Sequence, residues 1–193
     1  GEWNGIVAVF LPLMGTLMGN RHYYPIYAAA ERHGLPIVLH PNSVDGIYQQ
    51  ATTMAGGVPT YYVEWHAALT QIFQANTNSL VCHGVFEKYP GMQVVIAEGG
   101  VAWLPDLLWR LDKNWEALRD EVPWVKRRPS EYVFDHCHFT TQPFLEPAKR
   151  EHLLEQYLLL LWRYDEVAAD QADFLRPCHN VIEACQMVDF PAR

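Results

Sequence analysis

The chain has 193 residues, half of them hydrophobic and 19% charged, with a formal net charge of −8. That balance supports one compact domain with a real core and excludes a disordered chain. It also excludes a general nucleic-acid binder, because neutralising phosphates needs clustered Lys and Arg.

The basic run Lys126-Arg127-Arg128 is short and stopped by Pro129, the habit of a solvated loop. Cys82, Cys137, Cys178 and Cys185 form no CxxC pair and no zinc-ribbon spacing. They are expected to be reduced thiols of a cytoplasmic protein. No apolar run approaches the roughly 18 residues of a membrane span, and no leader pattern precedes the first strand. The sequence opens on Gly1, not Met.

In chain order, Gly5 to Leu11 is predicted as a strand closed by Pro12, and Tyr23 to His33 as a helix ended by Gly34 at its C′ position. Leu35 to His40 is an Ile/Val/Leu run that suits a strand buried on both faces, stopped by Pro41. Strand, helix and strand at this spacing imply a βαβ unit and a parallel sheet. His40 stands at the C-terminal end of its strand, the end that faces the catalytic loops in α/β barrels. A core or rim histidine is the plainer reading of that residue taken alone.

Residues 41–60, with Pro41, Gly46, Gly56, Gly57 and Pro59, read as a long loop. Tyr61 to Tyr89 has the spacing of a long helix or two, ended by Pro90-Gly91. Gln93 to Ala97 is a further apolar strand, the third, and Glu98 is the first polar residue after it. An acid there is costly unless paired, metal-bound or accepting backbone donors, so Glu98 is either a site residue or a local cap. Trp103 to Arg119 is an amphipathic helix. Ser130 to Val133 opens a helical turn, and Cys137 to Thr141 a further strand. His136 and His138 alternate about Cys137 and would share one face, as a metal pair or as rim histidines. Pro147 to Trp162 reads as a leucine-rich helix, and the texture changes after Asp165-Glu166.

Several runs together resemble a known family. They are His83-Gly84-Val85-Phe86-Glu87-Lys88-Tyr89-Pro90, Ile96-Ala97-Glu98-Gly99-Gly100, Trp103-Leu104-Pro105 and Arg110-Leu111-Asp112. Pro129-Ser130-Glu131-Tyr132 and Thr140-Thr141-Gln142-Pro143 join them. The likeness is to the amidohydrolase-related group, which includes aminocarboxymuconate-semialdehyde decarboxylase and the resorcylate decarboxylases. It runs from about Gly5 to Glu166.

The resemblance implies an α/β fold, a metal-dependent (β/α)8 TIM barrel of which this chain is a C-terminal part. The first strands, with their metal motif, and probably the last would be lacking. A complete barrel runs to roughly 200–250 residues, consistent with that reading. Residues 1–166 would be barrel and 167–193 a divergent tail, loosely packed or altered in frame. Position by position, His40 matches a metal ligand, and Glu98 stands where the decarboxylases carry a catalytic His. Trp65, His66, Trp103 and the 41–60 loop would shape the substrate pocket. The cofactor would be a divalent metal ion, zinc first, and the substrate a small carboxylate or cyclic compound, turned over by hydrolysis or decarboxylation. Near the end the chain reaches Tyr164-Asp165-Glu166 in plausible register with the family's last strand and then departs abruptly, with Asp170 and Asp173 as the only carboxylates close beyond it. Impaired activity is therefore expected. The rival is a non-catalytic barrel fragment whose strand edges are covered by a partner chain or by homo-oligomerisation.

Overall fold

The computed structural model describes residues 5–41 and 59–140. These lie within one compact unit, Gly1–Leu145. The expectations for the 41–60 loop, for the Pro147 to Trp162 helix, for the tail and for Asp165, Glu166, Asp170 and Asp173 fall almost wholly outside those residues.

Four strands form one sheet: β1 (Val9–Leu13), β2 (Ile37–Pro41), β3 (Val94–Ile96) and β4 (Cys137–Phe139). They lie side by side in sequence order and pair parallel throughout. Helices fill the crossovers. Between β1 and β2 runs α1 (Tyr24–His33), entered through a 3₁₀ turn at Arg21–Tyr23. Between β2 and β3 come α2 (Tyr62–Ala67), α3 (Thr70–Cys82) and α4 (Val85–Lys88). Between β3 and β4 come α5 (Leu104–Leu118) and α6 (Pro129–His136). Strand and helix alternating around a parallel sheet is the repeat of an α/β barrel wall. Among the described residues no helix is long and apolar enough to cross a membrane.

Gly34 ends α1 in the left-handed conformation expected of it (φ 61°). The long helix or two expected over Tyr61 to Tyr89 are instead three helices. His83 and Gly84 break the stretch, because Gly84 is itself left-handed and a Cβ there would stand 2.5 Å from Trp124.

Three further expectations change. Pro12 does not close the first strand but lies inside it. The Val9 amide donates to the carbonyl of Pro36, the residue before β2, so by alternation the position of Pro12 faces the outer edge of β1, where no amide is required. Pro41 is likewise the last residue of β2, not the first beyond it.

The Leu35 to His40 run is not buried on both faces. Ile37 and Leu39 are buried against the helices, while Val38 and His40 are only half-buried. The register places Phe10, Val38, Val95 and His138 in a row on the open face. The helix-covered face carries Leu11, Leu13, Ile37, Leu39, Val94, Ile96 and Cys137 into a core with Phe73, Leu80, Val85, Phe86, Leu108 and Val133. Burial pushes the Cys137 thiol up to about 12, and both described cysteines are free.

The basic run is the loop expected, exposed at Lys126 and Arg128, and its side chains also clamp the helical layer. Lys126 pairs with Glu87 (3.0 Å), Arg127 with Asp135, and Arg128 with Glu116 (2.9 Å). The Arg127 guanidinium also lies 4.4 Å over the ring of Tyr132. The Tyr132 hydroxyl donates to Glu87 and accepts from the Lys126 amide. Chiefly that hydroxyl, with Lys126 behind it and burial opposing, holds the Glu87 carboxyl below its usual range.

A folded-state value below the unfolded one stabilises the protein above about pH 4.3, and that contribution is lost as pH falls through the lower value. Thermal melts across pH 3 to 7 should therefore show the parent losing stability more steeply in acid than Glu87→Gln. Parallel curves would refute this.

Candidate metal and proton-transfer site

His40 and Glu98 meet at the C-terminal end of the sheet. His40 is the fourth residue of β2; Glu98 follows β3 by two residues, after Ala97 has donated its amide to Leu39. Nε2 of His40 lies 3.3 Å from Oε2 of Glu98, with the two side chains 32% and 52% exposed.

The other imidazole nitrogen, Nδ1, lies 2.7 Å from the Pro41 carbonyl oxygen. A carbonyl only accepts, so Nδ1 carries the proton. Nε2 then turns its remaining valence towards a carboxylate, which also only accepts when ionised. The contact between Nε2 and Oε2 therefore needs one proton, carried by either group, or a cation between them. A metal-binding His characteristically donates its second ring N–H to a carbonyl or carboxylate, and His40 does so.

Glu98 is held by its surroundings. Its φ is +61°, the only positive value among the described non-glycine residues. That region disfavours L side chains by roughly 1–2 kcal/mol. Its amide donates to Oγ1 of Thr140, 2.9 Å away at the end of β4. Gly99 and Gly100 follow; a Cβ on Gly99 would press on Ile96 and Phe73 at 3.1 Å, and Gly100 is left-handed. The Trp103 indole N–H donates to the carbonyls of Gly99 (2.8 Å) and Gly100 (3.1 Å) and so closes the loop. A strained non-glycine residue kept in place by several neighbours is the pattern expected where the side chain is needed.

The remaining predicted site residues are placed as follows. The Trp103 ring stands edge-on to Phe139, 5.9 Å between centroids. On α2, His66 stacks on Tyr62, and Trp65 lies tilted against both rings. Trp65 is buried, and its indole N–H finds no partner among the described residues.

His136 and His138 do not share a face. His136 ends α6, buried, stacked on Phe86 at 4.6 Å and hydrogen-bonded to the Met92 carbonyl. His138 lies in β4, exposed, beside Gln93. The helix runs to His136, so the alternation of a strand never applies to the pair.

Two residues beside the site were not named as site residues from the sequence, although Thr140 lies in one of the family-like runs. Thr140 holds Glu98, and the exposed Phe10 ring lies 5.7 Å from the His40 ring. The register Phe10↔Val38 gives the signal for Phe10, since it shares the face of His40.

The donors at hand fit a divalent ion in kind. A neutral imidazole and a carboxylate are ordinary ligands of zinc and manganese. Two ligands at about 2.1 Å from one tetrahedral ion stand about 3.4 Å apart, close to the separation of Nε2 and Oε2. Among the described residues no third His, Cys, Asp or Glu joins them.

A family profile described as Amidohydrolase matches residues 5–170. A gamma-resorcylate decarboxylase of Rhodococcus jostii is 30% identical over 125 residues, which is 62% of this chain and 35% of that protein. Among solved structures, an amidohydrolase from Mycobacterium avium subsp. paratuberculosis superposes with a TM-score of 0.56 at 20% identity, covering 70% of this chain and 36% of the other. The 5-carboxyvanillate decarboxylase of Sphingomonas paucimobilis gives 0.52 at 18% identity, covering 80% and 45%. This chain thus spans about a third of the length of the curated relative. The parallel sheet with outer helices is the fold these structures share over the matched part. With the profile matching most of its length, the chain belongs to the amidohydrolase family.

Proposed function

We propose that this chain carries part of the active site of a metal-dependent enzyme that decarboxylates a small aromatic carboxylic acid. The observation that carries the reading is the His40–Glu98 pair, 3.3 Å apart at the C-terminal sheet end with Nδ1 of His40 committed to a carbonyl. The names of the relatives supply the substrate class.

His40, oriented by Pro41, would hold a divalent cation, zinc first, through Nε2, with Glu98 as a second ligand or as the proton carrier. When bound, the ion would polarise a substrate oxygen. In decarboxylation the bond between ring carbon and carboxyl carbon breaks and its electron pair stays on the ring. Carbon dioxide leaves and a proton takes its place. A protonated Glu98 would deliver that proton. The open Phe10 ring offers a flat wall beside it. Trp65 and His66 are proposed for the pocket, Trp65 through an indole N–H that has no partner among the described residues, and Trp103 as the clamp on the Glu98 loop. Hydrolysis of a cyclic substrate is the alternative chemistry for the same residues.

The test is carbon dioxide release from a panel of hydroxybenzoates by the chain loaded with zinc or manganese, with hydrolysis of lactones and amides assayed alongside. Metal-dependent release supports the reading. Hydrolysis alone would redirect it, and no metal uptake would end it.

One observation favours a second reading. Among the described residues the outer edge of β1 is unpaired, with Ile6, Val7 and Phe10 exposed. Bare apolar edges invite pairing, so a non-catalytic role as one piece of an assembly follows if the chain self-associates without taking up metal. Native mass measurement decides that.

A further inference from the structure

We infer that Thr140 is a positioning residue, whose side-chain oxygen fixes the left-handed backbone of Glu98 and so aims its carboxylate at His40. The inference rests on the site proposed above and adds a residue to it. The Thr140 amide donates to the Ile96 carbonyl (3.0 Å), extending the β3–β4 ladder one residue beyond Phe139. That bond fixes where the Thr140 side chain starts. From there Oγ1 accepts the Glu98 amide at 2.9 Å. The residue before Glu98 is tied to β2 through the Ala97 amide, and the two after it are tied through the Trp103 indole.

Among these ties only Thr140 reaches Glu98 itself. Glu98 sits at φ +61°, where glycine is at ease and a Glu is not. Without a partner for its amide, the backbone there is free to relax towards negative φ. The carboxylate would then swing off Nε2 of His40, now 3.3 Å away. Valine is the informative replacement. It keeps the branched shape suited to a strand end and removes only the hydroxyl, and Thr140→Ser restores the acceptor.

The test reads the backbone first and the metal second. In the full chain labelled for nuclear magnetic resonance, Thr140→Val should shift the Glu98 Cα resonance away from its left-handed value. It should also speed exchange of the Glu98 amide by about tenfold or more, with other sheet amides unchanged. Thr140→Ser should stay close to the parent in both. Zinc affinity by calorimetry should fall several-fold in Thr140→Val and recover in Thr140→Ser.

An unchanged Glu98 resonance and exchange rate in Thr140→Val overturns the inference, whatever the metal does. A relaxed backbone with unchanged zinc affinity overturns it too, since the carboxylate then needs no such aim. If the parent takes up no zinc at all, the proposed function fails, while the resonance measurement still decides whether Thr140 holds Glu98.

Discussion

His40→Ala should weaken zinc or manganese binding by at least about a hundredfold and abolish any metal-dependent turnover. Loss of a well-oriented second-shell partner alone typically costs 10–100-fold, and here the ligand itself goes. What remains is Glu98, half exposed, and one carboxylate leaves an ion largely hydrated. The strand should survive, because β2 is held by its main-chain pairing to β1 and β3 and by Ile37 and Leu39 beneath the sheet. Circular dichroism should therefore match the parent while calorimetric titration does not. Glu98→Gln should lose most of the turnover as well. The double variant should be little worse than either single one, because groups that act as a unit are not additive. Unchanged metal affinity in His40→Ala would remove the site from this end of the sheet.

That His40 and Glu98 would meet at one end of the sheet was legible in the sequence for a simple reason. In a parallel sheet the first polar residue after an apolar run lands at the C-terminal rim, and both His40 and Glu98 obey that rule. What the sequence does not carry is conformation that depends on neighbours. Nothing at Glu98 announces a left-handed backbone, since the usual glycine stands one residue later. Thr140 acts from a strand 42 residues on in the chain. The face alternation of β2 was missed because an Ile/Val/Leu run looks the same whether one side of a sheet is covered or both. His136 and His138 were misplaced by a helix running two turns through a stretch read as a single turn before a strand.

Some of the family-like runs supply the candidate site, through Glu98, Trp103 and Thr140, and others hold the helical layer. Glu87 from the first is hydrogen-bonded to Tyr132 from another, and Asp112 from a third binds Ser130. Residues far apart in sequence keep company because they hold the helical layer together.

Asp112→Ala should be the most damaging of these structural changes, lowering stability by about 3 kcal/mol. Asp112 is only 4% exposed, deep on α5, and it takes both donors of Ser130: the amide at 2.8 Å and the hydroxyl at 2.7 Å. Ser130 is the second residue of α6, where a helix has no carbonyl of its own to receive an amide. Alanine would leave that amide and a buried hydroxyl without their acceptor and open space beside them. Each unsatisfied buried group costs about 1–3 kcal/mol. For a chain of this size the melting temperature should fall by about 6–12 °C. Asp112→Asn, which keeps one acceptor oxygen for the amide, should lose markedly less, and Ser130→Ala less again, because it removes the hydroxyl with its demand. Zinc affinity measured well below the melting point should be unchanged in all three, since the Asp112–Ser130 link joins two helices and includes neither His40 nor Glu98. A melting temperature within about 2 °C of the parent for Asp112→Ala would show that water or a neighbouring group replaces the carboxylate, and that α6 is anchored instead by Arg127, Arg128 and Tyr132.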